Sequence, residues 1–341
     1  MEKPRISVLL SCYNGSSWLS QAIESILNQT LGNFEFIIVD DGSTDNSLEI
    51  IKGYAQQDSR IVVLVKKNTG LADSLNKGIE IARGDWIARI DADDISEPLR
   101  LSKQLIIAES KQNILFVGSG LFAIDETGSI LKTYHYPICH RLLVRNLCTT
   151  LKFPPHSSAF YRTDVVRAIG GYRPRIKRSQ DWDLWLRLSQ FGQLACASEA
   201  LVKVRQHPQQ ISNDDSGKKS RIYNKIALIS YLLRQNGYID PVQENDKVFE
   251  CFYDFVKRRL DEVRLHDFKD YVYNVKTQLS TINADFGSVL KAAHYIFSEP
   301  HFMCRYLRGY MFGDKFANEV AHEWMKYYSQ VENIDRIKKC G

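Results

Sequence analysis

The first hundred residues alternate between short apolar runs and segments with a helical spacing of apolar residues, and this alternation constrains the fold more than any other feature. The apolar runs, each of strand length, are Arg5–Ser11, Phe34–Asp40, Ile61–Val65 and Trp86–Asp91. The helical segments between them are Ser16–Gln29, Thr44–Gln57 and Leu71–Arg83. Because consecutive βα units place their strands side by side in one direction, we expect an α/β fold with a mainly parallel sheet flanked by helices.

Beyond residue 98 the pattern is mixed and predicts a second group of elements. Helices are predicted at Pro98–Lys111, Asp164–Ile169 and Trp182–Phe191, strands at Ile114–Gly118, Ser157–Tyr161 and Leu201–Arg205, and a hairpin at Phe122–His135. From about residue 216 the chain shows helical segments separated by polar breaks. We therefore expect one large domain over residues 1–212 and a helical C-terminal region over residues 213–341.

The composition excludes several classes of protein. Of the 341 residues, 44% are hydrophobic and 25% are charged, which is typical of globular proteins rather than disordered chains. The seven cysteines are scattered and form no Cys-x-x-Cys pair, so a reducing compartment is favoured over a disulfide framework or a zinc site. Neither a secretory signal nor an apolar stretch of about 18 residues occurs, so we expect a cytoplasmic protein without a transmembrane helix. The net charge of +5 is modest, and no nucleic-acid partner is expected.

Three of the predicted strands lead directly into clusters of polar residues. These clusters are Ser11 to Tyr13 after the first strand, Asp40 and Asp41 after the second, and Asp91 to Asp94 after the fourth. Ligands of parallel α/β sheets bind at the carboxyl ends of the strands, so the clusters are expected to form one rim of one site. Three carboxylates within four residues repel one another and resist burial unless a cation joins them. The sequence therefore predicts a divalent cation at this rim.

A fourth cluster, Gln180-Asp181-Trp182-Asp183, completes an ordered set of motifs. The motifs, in the order Ser11-Cys12-Tyr13-Asn14, Asp40-Asp41, Asp91-Ala92-Asp93-Asp94 and Gln180-Asp181, resemble those of family-2 glycosyltransferases. The resemblance covers roughly residues 4–212. It implies a GT-A fold in which residues 1–115 form the nucleotide-sugar half and residues 116–212 the acceptor half.

The resemblance also implies roles for individual residues. Contacts to the nucleotide-sugar are expected from Ser11, Tyr13, Asp40, Asp41, Asn68, Gly70 and Asp91. A Mg²⁺ or Mn²⁺ ion is expected at Asp93, Asp94 and His207, with Asp93 as the direct ligand. Asp181 is expected to be the general base, although Gln180 stands where Glu is commoner in the family. Arg205 is expected to assist phosphate binding, and Gly170 to Tyr172 to form a mobile loop near the acceptor.

Several of these residues also have ordinary structural explanations. Ser43 or Thr44 after Asp41 would cap the next helix well. The acidic residues Asp91 to Asp94 could likewise form a solvated turn that caps the helix after Pro98. Asp183 lies in the first turn of a predicted helix, where the helix dipole favours an acid, so no catalytic role is assigned to it. The sequence Gly118-Ser119-Gly120 imitates a dinucleotide-binding motif, but it opens no helix and lacks the acidic residue about 20 positions on.

The resemblance implies an inverting, metal-dependent glycosyltransferase of the hexosyltransferase class. Its donor would be a nucleotide-diphospho-sugar, with uridine the expected base, and its acceptor a glycan or lipid-linked hydroxyl in cell-surface polysaccharide synthesis. The alternatives are a catalytically silent GT-A-like binding module and a nucleotidyltransferase of related architecture, which should carry a glycine-rich basic loop that Ser11–Gly15 lacks. Processive synthases carry a Gln-x-x-Arg-Trp motif, which is absent here. Peripheral contact with the inner face of the membrane through His301–Phe312 and a homodimer are left open.

Overall fold

The computed structural model describes residues 3–149, 153–208, 210, 218–261, 317 and 319–326. The chain divides into two compact units. The first unit comprises Met1–Leu147 and Lys152–Ser220, and the second comprises Cys148–Leu151 and Arg221–Gly341.

The first half of the large unit has the predicted βα alternation. Its strands are β1 (Ile6–Cys12), β2 (Phe34–Asp40), β3 (Ile61–Val65) and β4 (Trp86–Asp91). Its helices are α1 (Leu19–Leu27), α2 (Ser47–Gln57) and α3 (Leu71–Ile81). The four strands are parallel and lie in the order β3-β2-β1-β4.

The second half extends the same sheet with mixed strand directions. In chain order it contains β5 (Ile95–Ser96), α4 (Arg100–Glu109), β6 (Ile114–Ile124), β7 (Ile130–Tyr134), α5 (His140–Thr149), β8 (Phe160–Arg162), α6 (Thr163–Ala168), α7 (Gln180–Leu188) and β9 (Gln193–Arg205). The sheet continues from β4 through β8, β6 and β9 to β5. Strands β4 and β8 are antiparallel, whereas β6 and β9 are parallel. The predicted α/β sheet flanked by helices is confirmed, with its parallel part concentrated in the first half.

Strand β6 is longer than its sequence pattern suggests, because a strand buried on both faces shows no alternation of apolar and polar residues. Ten of its eleven residues are buried, including two glycines. A Cβ at Gly118 would lie 2.4 Å from Pro154, and one at Gly120 would lie 2.7 Å from the carbonyl oxygen of Tyr134. The glycines therefore allow close packing within a strand, which agrees with the rejection of a dinucleotide-binding motif here.

The pairing of β1 with both neighbours determines where the polar clusters lie. Ser11 pairs with Val39 of β2 and with Asp91 of β4, and Cys12 pairs with Asp40. The ends of the three strands are therefore adjacent in the sheet, so their polar clusters share one edge. Beneath this edge the strands are held by a continuous apolar core, and all seven residues of β2 are buried. Each fully buried Ile or Phe side chain contributes about 1.5–3 kcal/mol of hydrophobic stabilisation.

The described residues of the second unit are helical apart from residues 236–245, in agreement with the expected C-terminal helical region. Helix α8 spans Lys218–Gln235, and helical residues continue at 246–261 and 319–326. Trp324 packs against Phe252 and Phe255, with ring centroids 4.9 and 5.4 Å apart. Within the described part of the chain, no helix combines the length and the apolar character needed to cross a membrane. The segment His301–Phe312 lies outside the described residues.

Candidate active site

A cavity of about 590 Å³ lies at the carboxyl edge of the parallel strands. The predicted site residues on its wall are Ser11, Tyr13, Asn68, Gly70, Asp41, Asp91, Asp93 and His207. Among the described residues, three predicted site residues lie outside its lining, namely Asp40, Asp94 and Asp181. A second cavity of about 520 Å³ lies beside Asp85 and Trp86 at the other end of β4 and contains none of the predicted site residues. The structure thus brings most of the predicted residues to one place.

The loop after β1 is fixed by the loop after β2. Asn14 has a left-handed backbone with φ of 52°, and its side-chain Oδ1 accepts a hydrogen bond of 2.8 Å from the backbone N–H of Thr44. The backbone N–H of Ser16 donates to Asp45 Oδ2 at 3.1 Å. Burial raises the pKa of Asp45, but hydrogen bonds from Ser47 and Ser16 outweigh burial and lower it to about 2. These hydrogen bonds hold the backbone beside Tyr13, while Tyr13 is 52% exposed and its ring can pack against a ligand.

Asp41 is a buried carboxylate, 2% exposed, with a nearly complete set of donors. Its Oδ1 accepts from the Lys66 ammonium and from the backbone N–H of Thr69 at 3.0 Å. Its Oδ2 accepts from the backbone N–H of Gly70 at 2.9 Å, where φ of +96° suits glycine. Asp40 stabilises the turn after β2, because its Oδ2 accepts a hydrogen bond of 3.2 Å from the backbone N–H of Ser43.

Asp91 is held by a fully buried arginine. Both terminal nitrogens of Arg89 donate to the two carboxylate oxygens of Asp91, and Ser157 Oγ donates to Asp91 Oδ2 at 2.7 Å. Burial raises the pKa of Asp91, but the Arg89 guanidinium outweighs burial and the pKa is lowered. Asp91 is therefore ionised, and the positive charge of Arg89 balances its negative charge. The same hydrogen bonds hold its side chain in place on the cavity wall.

Asp93, Asp94 and Asp91 crowd together as a candidate metal site. One carboxylate oxygen from each lies within 4.8 Å of the others. Burial, then the charge of Asp91, raises the pKa of Asp93, and burial with both neighbours raises that of Asp94 well above its ordinary value. Closely spaced oxygen donors of this kind suit Mg²⁺ or Mn²⁺, whose charge would relieve the repulsion. The residues present therefore fit the expected ion.

His207 approaches this cluster from the end of β9. Its Nε2 lies 3.0 Å from Asp93 Oδ2, and its ring packs on Trp18 with centroids 4.4 Å apart. Asp94, by contrast, is engaged with the protein, because its Oδ1 accepts a 2.9 Å hydrogen bond from the backbone N–H of Arg205 and its Oδ2 accepts from Ser157 Oγ. Of the three residues expected to bind the metal, Asp93 and His207 face the cavity and Asp94 lies behind them.

The expectation that Arg205 assists phosphate binding is wrong. Its side chain is fully buried, and the guanidinium donates to the carbonyl oxygens of Asp93, Asp125 and Glu126 at 2.8–3.1 Å and to Gln21 Oε1 at 2.7 Å. The carbonyl oxygens belong to the acidic loop, residues 91–94, and to the turn after β6, whereas Gln21 lies on α1. Arg205 therefore fixes the position of Asp93 from behind the cavity wall.

Asp181 lies in the first turn of α7, beside the Arg89–Asp91 pair. The preceding residue Gln180 lines the cavity, while Asp181 itself is half-buried. Burial raises the pKa of Asp181, and although Arg89 lowers it, the net direction is upward. A carboxylate with a raised pKa is a stronger proton acceptor than an ordinary one.

Asp183 has the structural role that its helix position suggested. It is fully buried, and its Oδ2 accepts hydrogen bonds from Arg173 Nε at 2.9 Å and from Arg187 Nε at 3.0 Å. Trp185, on the same helix, packs on Phe116 of β6 with ring centroids 4.5 Å apart. These contacts hold the beginning of α7, and so Asp181, against the sheet.

The loop before α7 is anchored at Tyr172, which is fully buried. Asn76 of α3 donates to the carbonyl oxygen of Tyr172 at 2.7 Å and accepts from its backbone N–H at 2.8 Å. The Tyr172 hydroxyl lies 2.7 Å from His156 Nε2. In the segment Gly170 to Tyr172, which is expected to be a mobile loop near the acceptor, Tyr172 is thus hydrogen-bonded to α3 and to His156.

Sequence reasoning missed two residues that shape the site, Arg89 and Ser157. Arg89 left a signal, because a charged residue within the apolar run Trp86–Asp91 needs a partner, and Asp91 two positions on lies on the same face of a strand. No sequence pattern indicates Ser157, because it contacts Asp91 and Asp94 only through the pairing of β8 with β4.

The geometry agrees with comparisons to known proteins. The family described as Glycosyl transferase family 2 matches residues 7–170. A glycosyltransferase of Methanocaldococcus jannaschii is 35% identical over 250 residues, which span 71% of this chain and 84% of that protein. The O-antigen biosynthesis glycosyltransferase WbnJ of Escherichia coli is 30% identical over 236 residues, or 67% of this chain and 88% of that protein.

A solved structure shows the same fold at low sequence identity. The mannosyltransferase of Pyrobaculum calidifontis, determined with GDP-Man and Mn²⁺, superposes with a TM-score of 0.59 and 12% identity over 95% of this chain and 87% of its own. The mixed sheet with its acidic edge is thus the expected GT-A fold. With relatives above 30% identity that are covered over most of their length, the chain belongs to glycosyl transferase family 2.

Proposed function

We propose that this enzyme is a metal-dependent inverting glycosyltransferase that moves one sugar from a UDP-sugar to a hydroxyl of a glycan or lipid-linked acceptor. The observation that carries the proposal is a single cavity lined by Asp41, Asp91, Asp93 and His207, with Gln180 at the start of α7 on the same wall. A base-binding carboxylate, an ion-binding carboxylate and a general base are what such a transfer needs in one place.

Asp181 acts in this proposal as the general base. It takes the proton of the acceptor hydroxyl while that oxygen bonds to the anomeric carbon, and the bond from this carbon to the donor diphosphate breaks with its electron pair on the phosphate oxygen. Attack opposite the leaving group inverts the configuration in one step. The raised pKa of Asp181 supports this role, because a stronger base removes the proton more readily.

The donor set around Asp41 supports uracil as the base. An ionised carboxylate has about four acceptor positions, and Lys66, Thr69 and Gly70 fill three of them. One position remains, on Oδ2. The Watson–Crick edge of uracil presents a single N–H, whereas guanine presents two adjacent donors that need two acceptors. Asp41 therefore fits a uridine donor better than a guanosine donor.

Asp93 and His207 are the residues that would hold the divalent ion. When bound, Mg²⁺ or Mn²⁺ would supply positive charge against the negative charge that develops on the leaving diphosphate. Arg205 orients Asp93 through a hydrogen bond of 3.0 Å to its carbonyl oxygen, and Asp94 completes the acidic set behind it. Asp91, neutralised by Arg89, is then available to accept a sugar or ribose hydroxyl.

The acceptor is proposed from the relatives alone. WbnJ carries a name that refers to O-antigen biosynthesis, and another relative, 29% identical, is named for amylovoran biosynthesis in Erwinia amylovora. We therefore place this chain in cell-surface polysaccharide synthesis, with transfer of a single sugar.

The proposal is tested by calorimetric titration of the purified protein with UDP, GDP, dTDP and CDP, each with Mn²⁺ and then with a chelator. The variants are Asp41→Asn and Asp93→Asn. The matched control is Asp85→Asn, which removes an exposed carboxylate at the other end of β4. Hydrolysis or transfer from the donor whose nucleotide binds then reports the reaction.

We expect UDP to bind tightest, Asp93→Asn to abolish the dependence on Mn²⁺, and Asp41→Asn to weaken UDP by about 10-fold or more. The control should bind as the wild type does. Preference for GDP would refute the uracil assignment but not glycosyl transfer. Absence of binding by every nucleotide would refute the donor site and favour the catalytically silent module.

A further inference from the structure

We propose that strand β7 and the beginning of α5 bind the surface of an anionic lipid bilayer. The contact surface, here called the β7 patch, consists of the exposed side chains of residues 130–142. None of these residues lines the donor cavity, so the inference does not depend on the nucleotide that the cavity binds.

The β7 patch concentrates exposed apolar side chains. Ile130 and Leu131 are 57% and 56% exposed, and Tyr134, Ile138 and Leu142 are exposed as well. Thirteen large hydrophobic side chains are exposed in the described part of the chain, and these five lie within thirteen consecutive residues. Single exposed apolar residues are normal on a protein surface, whereas a cluster of them indicates a contact surface.

Strand β7 does not pack on the core. All five of its residues are exposed, although successive side chains of a strand point to opposite faces of the sheet. Among the described strands it pairs with β6 alone, so its outer edge is open as well. An antiparallel strand normally buries at least one face. The apolar side chains of β7 therefore contribute little to the core and are available to a partner.

The segment after β7 is fixed to the sheet. Tyr136 packs against a small buried cluster formed by β6 and β9. His135 Nδ1 lies 3.0 Å from the carbonyl oxygen of Ser198, and His140 Nδ1 accepts a hydrogen bond of 3.1 Å from the backbone N–H of Leu194. The exposed side chains on either side of this segment thus stand on a backbone that β9 holds in place.

The charged residues of the β7 patch are cations. From Thr127 to Thr163 the sequence contains no Asp and no Glu. Lys132 and Arg141 are exposed, and neither forms an ion pair with a described residue. Lys132 Nζ lies 5.1 Å from the centre of the Tyr134 ring, so the lysine covers an apolar side chain with its stem and presents its ammonium to water.

The neighbouring carboxylates lie at the margin of the patch. Asp125 and Glu126 belong to the turn before β7, beyond Ile130, which is itself about 7 Å along the strand from Lys132. Oδ1 of Asp125 accepts hydrogen bonds of 2.9 Å from two backbone N–H groups of the same turn. On β9, Glu199 is paired with Lys103 of α4. A surface that contacts β7 and α5 can therefore leave the acidic turn in water, where salt screens its charge.

A bilayer suits this surface better than a second copy of the chain does. Two β7 strands that pair antiparallel over their full length would place Lys132 directly opposite its own copy, and like charges in that position are destabilising. At an anionic bilayer the two cations face lipid phosphates, and Tyr134 lies at the headgroup level. The apolar side chains reach the acyl boundary, while the open edge of β7 stays among the headgroups because unpaired backbone groups are not tolerated in hydrocarbon.

The β7 patch adjoins the acidic loop of the donor cavity. Arg205 donates to the carbonyl oxygens of Asp125 and Glu126 in the turn before β7, and also to that of Asp93. A bilayer bound to the patch would therefore lie on the side of the cavity where Asp93 is held, which agrees with a lipid-linked acceptor.

The test is flotation of the full-length protein with vesicles of phosphatidylcholine, either alone or with about one third phosphatidylglycerol. The apolar variant combines Ile130→Ser with Leu131→Ser, and the charge variant combines Lys132→Gln with Arg141→Gln. The melting temperature and a UDP titration report whether each variant keeps its fold.

Two control variants match these changes elsewhere on the surface. Ile106→Ser replaces an isoleucine of α4 that is 71% exposed, and Lys52→Gln replaces an exposed lysine of α2 that forms no ion pair with a described residue. Light scattering without vesicles measures the oligomeric state of the wild type and of the apolar variant.

We expect the wild type to float with the anionic vesicles and less with phosphatidylcholine alone. The charge variant should bind the anionic vesicles about 25-fold more weakly, because each cation near such a surface strengthens binding by about 5-fold. The apolar variant should bind both kinds of vesicle more weakly, by about 10-fold or more. Both controls should bind as the wild type does.

The inference fails if the wild type does not float with the anionic vesicles. It also fails if both patch variants float as the wild type does, because the contact would then lie elsewhere in the chain. A wild-type dimer that becomes monomeric in the apolar variant would assign the surface to a second copy instead. None of these results changes UDP binding, so this inference and the proposed function fail separately.

Discussion

Replacing Asp183 by Asn tests how α7, the helix that carries Asp181, is held in place. The substitution keeps the size and shape of the side chain but removes its charge. In the folded protein, Arg173 and Arg187 would then face each other around a neutral amide in a fully buried position. Removing one member of a buried charged network costs about 3–5 kcal/mol, since the remaining charges lose one counter-ion but stay away from water.

This loss should be visible in thermal unfolding. For a unit of roughly 200 residues, each kcal/mol changes the melting temperature by about 2–4 °C, so Asp183→Asn should melt roughly 6–20 °C below the wild type. The assay is calorimetry or circular dichroism, with urea unfolding at 25 °C as a second measure of the free energy. The control is Asp164→Asn, which breaks an ion pair with Arg162 whose acidic side chain is 63% exposed.

The control should lose at most about 1 kcal/mol, because water screens an exposed pair. The reasoning would be refuted if Asp183→Asn and Asp164→Asn were equally stable. It would also be refuted if Asp183→Asn lowered kcat while leaving the melting temperature unchanged, since the carboxylate would then act in catalysis rather than in holding the helix.

Three further changes have defined outcomes. Asp181→Asn should lower kcat by about 10²–10⁴-fold with no change in UDP affinity by calorimetry, and unchanged turnover would exclude Asp181 as the base. Because burial raises the pKa of Asp181 and only its ionised form accepts a proton, wild-type kcat should fall as pH falls through a value above 3.8, and this acid limb should be absent from Asp181→Asn. Gly171→Ala places a Cβ 2.4 Å from Asn76 Oδ1 at φ of +62° and should lower stability by about 1–3 kcal/mol in urea. Gly53→Ala, in α2 with no atom within 4 Å, should instead leave the protein as stable or more so.

The sequence predicts the parallel half of the sheet well because its signals are local. Apolar runs such as Phe34–Asp40 and Trp86–Asp91 are long enough to be buried strands, and the acids that end them cannot be buried without a partner. The edge that carries Asp41 and Asp93 therefore follows from the common direction of the parallel strands. The roles expected of individual residues come from the family motifs, because the spacing of the residues predicts only where they lie.

The second half of the sheet is predicted less well because its elements depend on long-range pairing. Strand β5 has two residues and exists only because it pairs with β9. Helix α5 is not predicted from the sequence, in which no Ser, Thr, Asp or Asn directly precedes His140. The phosphate role expected of Arg205 comes from the resemblance to the family and not from a local sequence pattern. The structure instead encloses it among carbonyl oxygens contributed by residues about 80 and 112 positions away. No local pattern reports such a contact.

The pairing of β9 with β6 has a consequence for biosynthesis. Asp93 and His207, which meet in the finished protein, are 114 residues apart in the chain. At typical translation rates the ribosome makes Asp93 roughly 6–23 s before His207. Throughout that interval the acidic loop lacks its histidine, and the edge of β6 that β9 will cover is an open strand edge. A nascent chain of this protein therefore exposes this edge of β6 until β9 emerges, and the contact between Asp93 and His207 forms only after the same step.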